Sequence, residues 1–282
     1  EQTLEFVKRE LTDNSGAFYS ALDADSEGEE GKYYVWKKEE LENILGEDYN
    51  WVKDYYNINS NGFWEHNNYI LLKRESDNNF AEKKNWSVAE LHKKVDEVNL
   101  KLLSQREKRV KPGLDDKTLT SWNALMLKSY AEAYQYIGNK KYLDIALKNA
   151  TFIQKYQLSK DGKLFHSYKN GKSSINGFLE DYCFTIEAFI KLYEVTFDNK
   201  WLDEAKTIAD YTIKEFYDEK SSMFYFTANS SEQLITRSFE LSDNVIPSSN
   251  SSIAKGLLLL GKYFDDKDYQ KKSEQMLKNM LE

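Results

Sequence analysis

The sequence predicts an all-α protein, an α/α toroid of helical hairpins with short β-hairpin insertions, and three observations carry that reading. Apolar residues recur at helical spacing, the helices come in pairs joined by very short turns, and the pairs repeat by letter. Leu119, Trp122, Met126, Tyr130, Ala133, Tyr134 and Ile137 form one helical stripe, which Gly138 ends. Tyr142, Ile145, Ala146, Ala150, Ile153 and Tyr156 form the returning stripe, and so short a connection makes the pair antiparallel.

The second hairpin runs from Glu180 through Tyr182, Ile186, Phe189, Ile190 and Tyr193, turns at Asp198-Asn199-Lys200, and returns through Leu202, Ala205, Ile208, Ala209, Thr212 and Phe216. Its turn aligns with the first, Tyr142-Leu143-Asp144-Ile145-Ala146 against Trp201-Leu202-Asp203-Glu204-Ala205, an offset of 59 from residue 142 to residue 201. A third copy passes through Ile253, Leu257, Leu260 and Phe264, turns at Asp265 to Asp268, and closes through Tyr269, Ser273, Met276 and Met280. The repeats span about 115–168, 180–227 and 250–282. Units of this length with unequal loops suit a ring of hairpins better than a tetratricopeptide array. Residues 1–282 are read as a single toroid domain.

Upstream of the repeats the elements are shorter. Residues 3 to 11 read as the returning helix of an incomplete hairpin, so the ring is expected to be open beside them. Gly16 to Ala21 and Lys32 to Trp36 read as short strands around an acidic loop, Asp23 to Gly31. That loop opens with the Asp-x-Asp-x-Glu-Gly spacing of a calcium loop, but position twelve is Tyr34 rather than a bidentate glutamate, and a solvated or site-lining acidic turn is the competing reading. Lys38 to Leu45 and Trp51 to Tyr56 make a helical pair, and Ser87 with Glu90 caps a long helix running to about Val110. Strand-like segments are expected at Leu164 to Tyr168 and at Met223 to Thr227 with Leu234 to Leu241.

Composition narrows the function classes. A net charge of -8, with no clustered basic excess, argues against nucleic acid, and the densest basic spot, Arg106, Lys108 and Arg109, reads as a solvated helix end. No apolar run approaches the ~20 residues of a membrane span. The single cysteine, Cys183, lies on an apolar face and gives no support for an oxidising compartment, so a cytoplasmic location is expected. The three histidines, His66, His92 and His166, show no metal-site spacing and are read as structural or solvated; neither a metal nor a cofactor is called for.

In a ring of hairpins the inner helices run the same way, so their N-terminal ends meet at one mouth. The residues arriving there are Asp116 with Trp122 and Asn123, Glu180 with Asp181 and Tyr182, and Asn244 with Asn250. Asp25 and Trp36 from the acidic-loop region are expected to join them. Carboxylates, amides and aromatic faces around one concavity suit a carbohydrate site, with Asp116, Asp181 and Asp25 as the candidate catalytic carboxylates. Trp122, Asn123, Glu180, Tyr182, Asn244, Asn250 and Trp36 are the candidate substrate-binding residues. The same residue types also serve as ordinary helix caps.

Four segments taken together, Phe18 to Trp36, Asp115 to Asn123, Glu180 to Tyr182 and Asp243 to Ser251, resemble the C-terminal region of the thioredoxin-domain-containing, spermatogenesis-associated thioredoxin-like family. The resemblance implies a six-hairpin toroid like those of six-hairpin glycosidases and N-acylglucosamine epimerases. It also implies a covalently linked thioredoxin-like domain and first hairpins upstream. Glycoside hydrolase-type chemistry on a sugar ligand leads; a non-catalytic scaffold or protein-binding module is the alternative. Epimerase-like proton transfer is a second, and it needs paired bases, classically histidines on inner helices, which this chain does not show there.

Overall fold

The structure is a computed structural model that describes residues 1–231 and 236–280. Its helices are α1 (Gln2–Glu10), α2 (Lys38–Leu45), α3 (Tyr49–Tyr55), α4 (Asp77–Lys84), α5 (Val88–Arg106), α6 (Thr120–Ile137), α7 (Lys140–Phe152), α8 (Leu179–Thr196), α9 (Lys200–Phe216), α10 (Ser249–Tyr263) and α11 (Lys267–Asn279). They fall into two compact units where periodicity read a single domain: Glu1–Ala21 with Asp115–Glu282, and Leu22–Leu114. Among the described residues no helix is long and apolar enough to cross a membrane.

The first unit contains the three predicted hairpins, α6/α7, α8/α9 and α10/α11. The leading helices pack side by side, with α8 between α6 and α10. Twelve of the 18 residues of α8 are buried, which makes it the central helix and explains why its stripe is apolar almost all round. The aligned aromatics Tyr142, Trp201 and Tyr269 are all buried at the start of the returning helices. Each contributes roughly 2–3 kcal/mol by its burial, so the repeated letter marks a repeated packing site. Gly138 ends α6 at φ 77, as expected, whereas Phe197 takes the same left-handed position after α8 at φ 56. This arrangement is an α/α toroid of helical hairpins with short antiparallel strand pairs.

Those strand pairs tie the leading ends of the hairpins together. Phe165–Lys169 pairs on one side with Lys172–Asn176 and on the other with Thr118–Leu119, so the segment before α6 and the segment before α8 share one small sheet. Met223–Phe224 pairs with Tyr217–Asp218, and Tyr225 bridges to Phe239. Leu234, part of the expected strand-like stretch, lies outside the described residues.

The second unit packs α2 to α5 around Trp36, Leu41, Val52, Tyr55, Phe80, Leu91 and Val98. The Ser87 hydroxyl accepts from the Glu90 amide at 3.1 Å and starts α5, which stops at Arg106 rather than near Val110. Sequence periodicity gave no sign of α4, whose eight residues carry only two buried apolar side chains, Phe80 and Ala81. The acidic loop folds as a two-residue hairpin. Asp25–Ser26 pairs with Glu29–Glu30 across Glu27 and Gly28, both at positive φ, as a tight turn of this twist requires.

Arg109 is not a solvated helix end. It donates to the carbonyls of Tyr33 and Val35 at 2.9 and 2.7 Å, forms a two-pronged pair with Glu40 at 2.8 Å, and lies 4.1 Å from the centroid of the Trp36 ring.

Candidate functional site

The leading helices of the first unit are in register, and a clamp repeated on each of them sets that register. The Asn123 carboxamide accepts from the Phe18 amide at 2.8 Å and donates to the Phe18 carbonyl at 2.9 Å. Asn250 does the same to Phe224, at 2.9 Å in both directions. Between them, the Tyr182 hydroxyl accepts from the Leu164 amide at 3.1 Å and donates to its carbonyl at 3.3 Å. All three side chains are buried and their polar atoms are occupied by main chain. As binding candidates, Asn123, Tyr182 and Asn250 therefore present no free polar atom to a ligand. Their place is to hold the loop in front of each helix.

With the clamps aligned, Ser121, Glu180 and Ser248 stand two positions before them, and Trp122, Asp181 and Ser249 one position before. At the N-terminal ends of α6 and α8, Ser121, Glu180 and Asp181 form a compact cluster with His166. The Asp181 carboxylate is fully buried: Oδ1 accepts from the Ser121 amide at 2.9 Å, and Oδ2 from the Phe178 amide at 2.8 Å and from His166 Nδ1 at 2.9 Å. Burial pushes the Asp181 carboxyl up, against the opposing pull of the His166 hydrogen bond. For His166 burial pulls the other way, but the hydrogen bond and charge of Asp181 prevail and the imidazole pKa is raised.

Glu180 is held by the Ser121 hydroxyl at 3.1 Å. Its carboxyl is pushed above the usual range by burial and by the charges of Asp181 and Glu240, although Ser121 and His166 oppose this. Glu240 lies in the segment before α10, and its Oε2 accepts from the Ser249 amide at 3.1 Å and from the Ser249 hydroxyl. Trp122, in the first turn of α6, keeps 43% of its surface exposed.

Among the described residues, His166, Glu180 and Asp181 are also the one group whose ligand-type atoms lie close enough, within 4.8 Å of one another, to suggest a cation. Both Asp181 oxygens and His166 Nδ1 are already occupied by the bonds above, so the cluster fits a hydrogen-bonded ion pair better than a metal site.

The remaining candidates lie elsewhere. Asp116 pairs with Lys169 at 2.5 Å in the loop before α6. Asn244 is exposed, its amide donating to the Ile246 carbonyl at 3.1 Å. Asp25 and Trp36 belong to the second unit, the first exposed on its hairpin and the second buried against Arg109. Sequence reasoning missed Ser121, His166 and Glu240. Aligning the three helix starts on the clamp residues would have singled out Ser121, whereas nothing in the letters points to His166, which a strand register delivers.

Deeper along the same face, five positions beyond each clamp, stand Lys128, Glu187 and Lys255. Both lysines reach the same oxygen, Glu187 Oε2, at 2.6 and 2.9 Å. Burial raises the Glu187 carboxyl, and the two lysines more than reverse it, so its pKa is lowered overall. A cleft of about 240 Å³ opens above this bar, lined by Leu125, Phe184, Ser251 and Ser252, with Asp243 and Pro247 at its edge.

In-register helical hairpins whose leading ends gather carboxylates and an exposed indole define a sugar-enzyme-like α/α toroid. The chain belongs to glycosyl hydrolase family 76, whose profile matches residues 112–278. It is 30% identical to spermatogenesis-associated protein 20 of Mus musculus over 305 aligned positions, which cover 95% of this chain and 38% of that protein. It is 28% identical to the uncharacterized protein B0495.5 of Caenorhabditis elegans, over 97% of this chain and 41% of that one. These matches bear out the resemblance to the spermatogenesis-associated family. The chain spans about two-fifths of the length of these curated relatives.

Among solved structures, a cellobiose 2-epimerase from Bacillus thermoamylovorans superposes with a TM-score of 0.48 at 18% identity, covering 57% of this chain and 44% of that one. A family 76 alpha-mannanase from Bacteroides thetaiotaomicron gives 0.47 at 16% identity, covering 58% and 44%.

Proposed function

We propose that the first unit binds carbohydrate at the leading ends of α6, α8 and α10, and that Glu180 is the proton donor to a glycosidic oxygen. The observation that carries this is the state of Glu180: a carboxyl whose pKa is raised by burial and by neighbouring charges, held in one orientation by the Ser121 hydroxyl. A carboxyl that keeps its proton nearer to neutrality is what protonation of a leaving group requires. Glu240 supplies the second carboxylate that glycoside hydrolysis calls for, and Trp122 offers an aromatic face to a sugar ring.

Asp181, buried behind Glu180, acts as a positioning residue. It orients His166 and fixes the first turn of α8 behind the Glu180 carboxyl. Asp116 is engaged by Lys169 in the loop before α6 and has no role in this chemistry. In the longer protein this unit accompanies a thioredoxin-like domain in the cytoplasm. The buried Cys183, its thiol pushed up by burial, takes no part in redox exchange.

The test is calorimetric titration of the full-length protein with mannose, glucose and galactose and their oligosaccharides, together with turnover of aryl glycosides. Sugar binding that Trp122→Ala weakens, with turnover that Glu180→Gln removes while binding persists, is the expected result. Binding without turnover in the parent makes the unit a sugar-binding module. No binding to any sugar returns it to the scaffold reading.

A further inference from the structure

The bar formed by Lys128, Glu187 and Lys255 has no part in the chemistry assigned to Glu180. It joins three helices through one carboxylate oxygen. Glu187 keeps only 7% of its surface exposed, and among the described residues its second oxygen, Oε1, takes no hydrogen bond. Each lysine uses one ammonium hydrogen on Oε2, and an ammonium has three. The bar therefore brings an open acceptor oxygen and the spare ammonium hydrogens of two lysines to the cleft that it lines.

Glu187 stands seven residues after Glu180 on α8, two helical turns and about 10 Å further along the same face. Between them, Phe184 and Leu125 give the cleft an apolar wall and Ser251 and Ser252 give it hydroxyls. Its volume of about 240 Å³ is below the roughly 300–1,000 Å³ of clefts that take drug-sized ligands. The charges that line it, Lys128 and Lys255 against Glu187 and Asp243, balance, so the complementary ligand is neutral. One acceptor together with two donors matches two adjacent hydroxyls, one donating to Oε1 while both accept from lysine.

Resting on the sugar reading above, we propose that this cleft is a subsite for a single terminal sugar ring, recognised by Lys128, Glu187 and Lys255 through a vicinal pair of hydroxyls. The site then takes chain ends, because the bar stops a ligand at one ring beyond Glu180.

The test follows calorimetric affinity across the mannose, glucose and galactose series from monosaccharide to tetrasaccharide, with deoxy analogues lacking one hydroxyl of each vicinal pair. Affinity within about two-fold from the disaccharide upward, a loss of about ten-fold for one deoxy analogue, and a similar loss in Lys255→Met are expected. Lys255 is the variant of choice because its side chain is 55% exposed, so its thermal midpoint reports that the fold is kept; Lys128→Met is the second variant. Affinity that climbs with every added ring, or binding by both lysine variants equal to that of the parent, overturns the terminal-ring subsite and leaves sugar binding standing. Absence of binding to every sugar overturns both.

Discussion

His166 Nδ1 donates to Asp181 Oδ2 at 2.9 Å, and the pair joins a strand to the first turn of the central helix. Raising the folded-state pKa of a histidine stabilises the fold below its ordinary value of 6.5, and that contribution is lost as pH rises through the raised value. The Asp181 carboxyl, also raised, acts with the same sign. The thermal midpoint should therefore fall as the pH is taken upward through neutrality. In His166→Asn the slope should flatten and about 3 kcal/mol of stability should be missing at mildly acid pH. Denaturation curves at several pH values check this, and an unchanged slope in the variant would refute it.

The clamps predict a graded loss. Tyr182→Phe leaves the Leu164 amide without its partner and should cost about 1–3 kcal/mol; Asn250→Ala exposes both polar groups of Phe224 to the same fate and should cost more. Urea unfolding measures both, with the midpoint moving and the slope unchanged.

Phe197 predicts a gain. It holds a left-handed cap position at φ 56 and is 78% exposed, so it loses little packing when removed. Phe197→Gly should stabilise by about 1 kcal/mol, a rise of about 2–4 °C in thermal midpoint. A lower midpoint would show that its contact with Tyr193 outweighs the backbone strain.

In the second unit, Arg109 combines two carbonyl bonds with a two-pronged carboxylate pair, a geometry that lysine cannot reproduce. Arg109→Lys should cost about 2 kcal/mol, and Arg109→Ala somewhat more, in thermal unfolding followed by near-ultraviolet circular dichroism. Equal stability of parent and lysine variant would contradict the assignment.

The hairpins were legible because each is local. A stripe of apolar letters, a glycine stop and a repeated aromatic such as Tyr142 or Trp201 lie within one helix or its turn. The second unit was read less fully: α4 has too short an apolar face to show a period, and the role of Arg109 depends on Tyr33, Val35 and Glu40, some seventy residues away. In the site, Glu180 and Asp181 could be named from their place at a helix start. Which of them faces outward could not, since it turns on Ser121 from another hairpin. Asn123, Tyr182 and Asn250 look like ligand-binding residues by type, and only their partners, main-chain groups of distant loops, reveal otherwise.

Those partners have a consequence for how such a protein changes over generations. Asn123, Tyr182 and Asn250 grip N–H and C=O groups, which every residue except proline possesses in full. The course of each loop is thereby written in the helix that follows it rather than in the loop's own letters. Neighbouring loop positions are free to exchange side chains while the loops keep their paths.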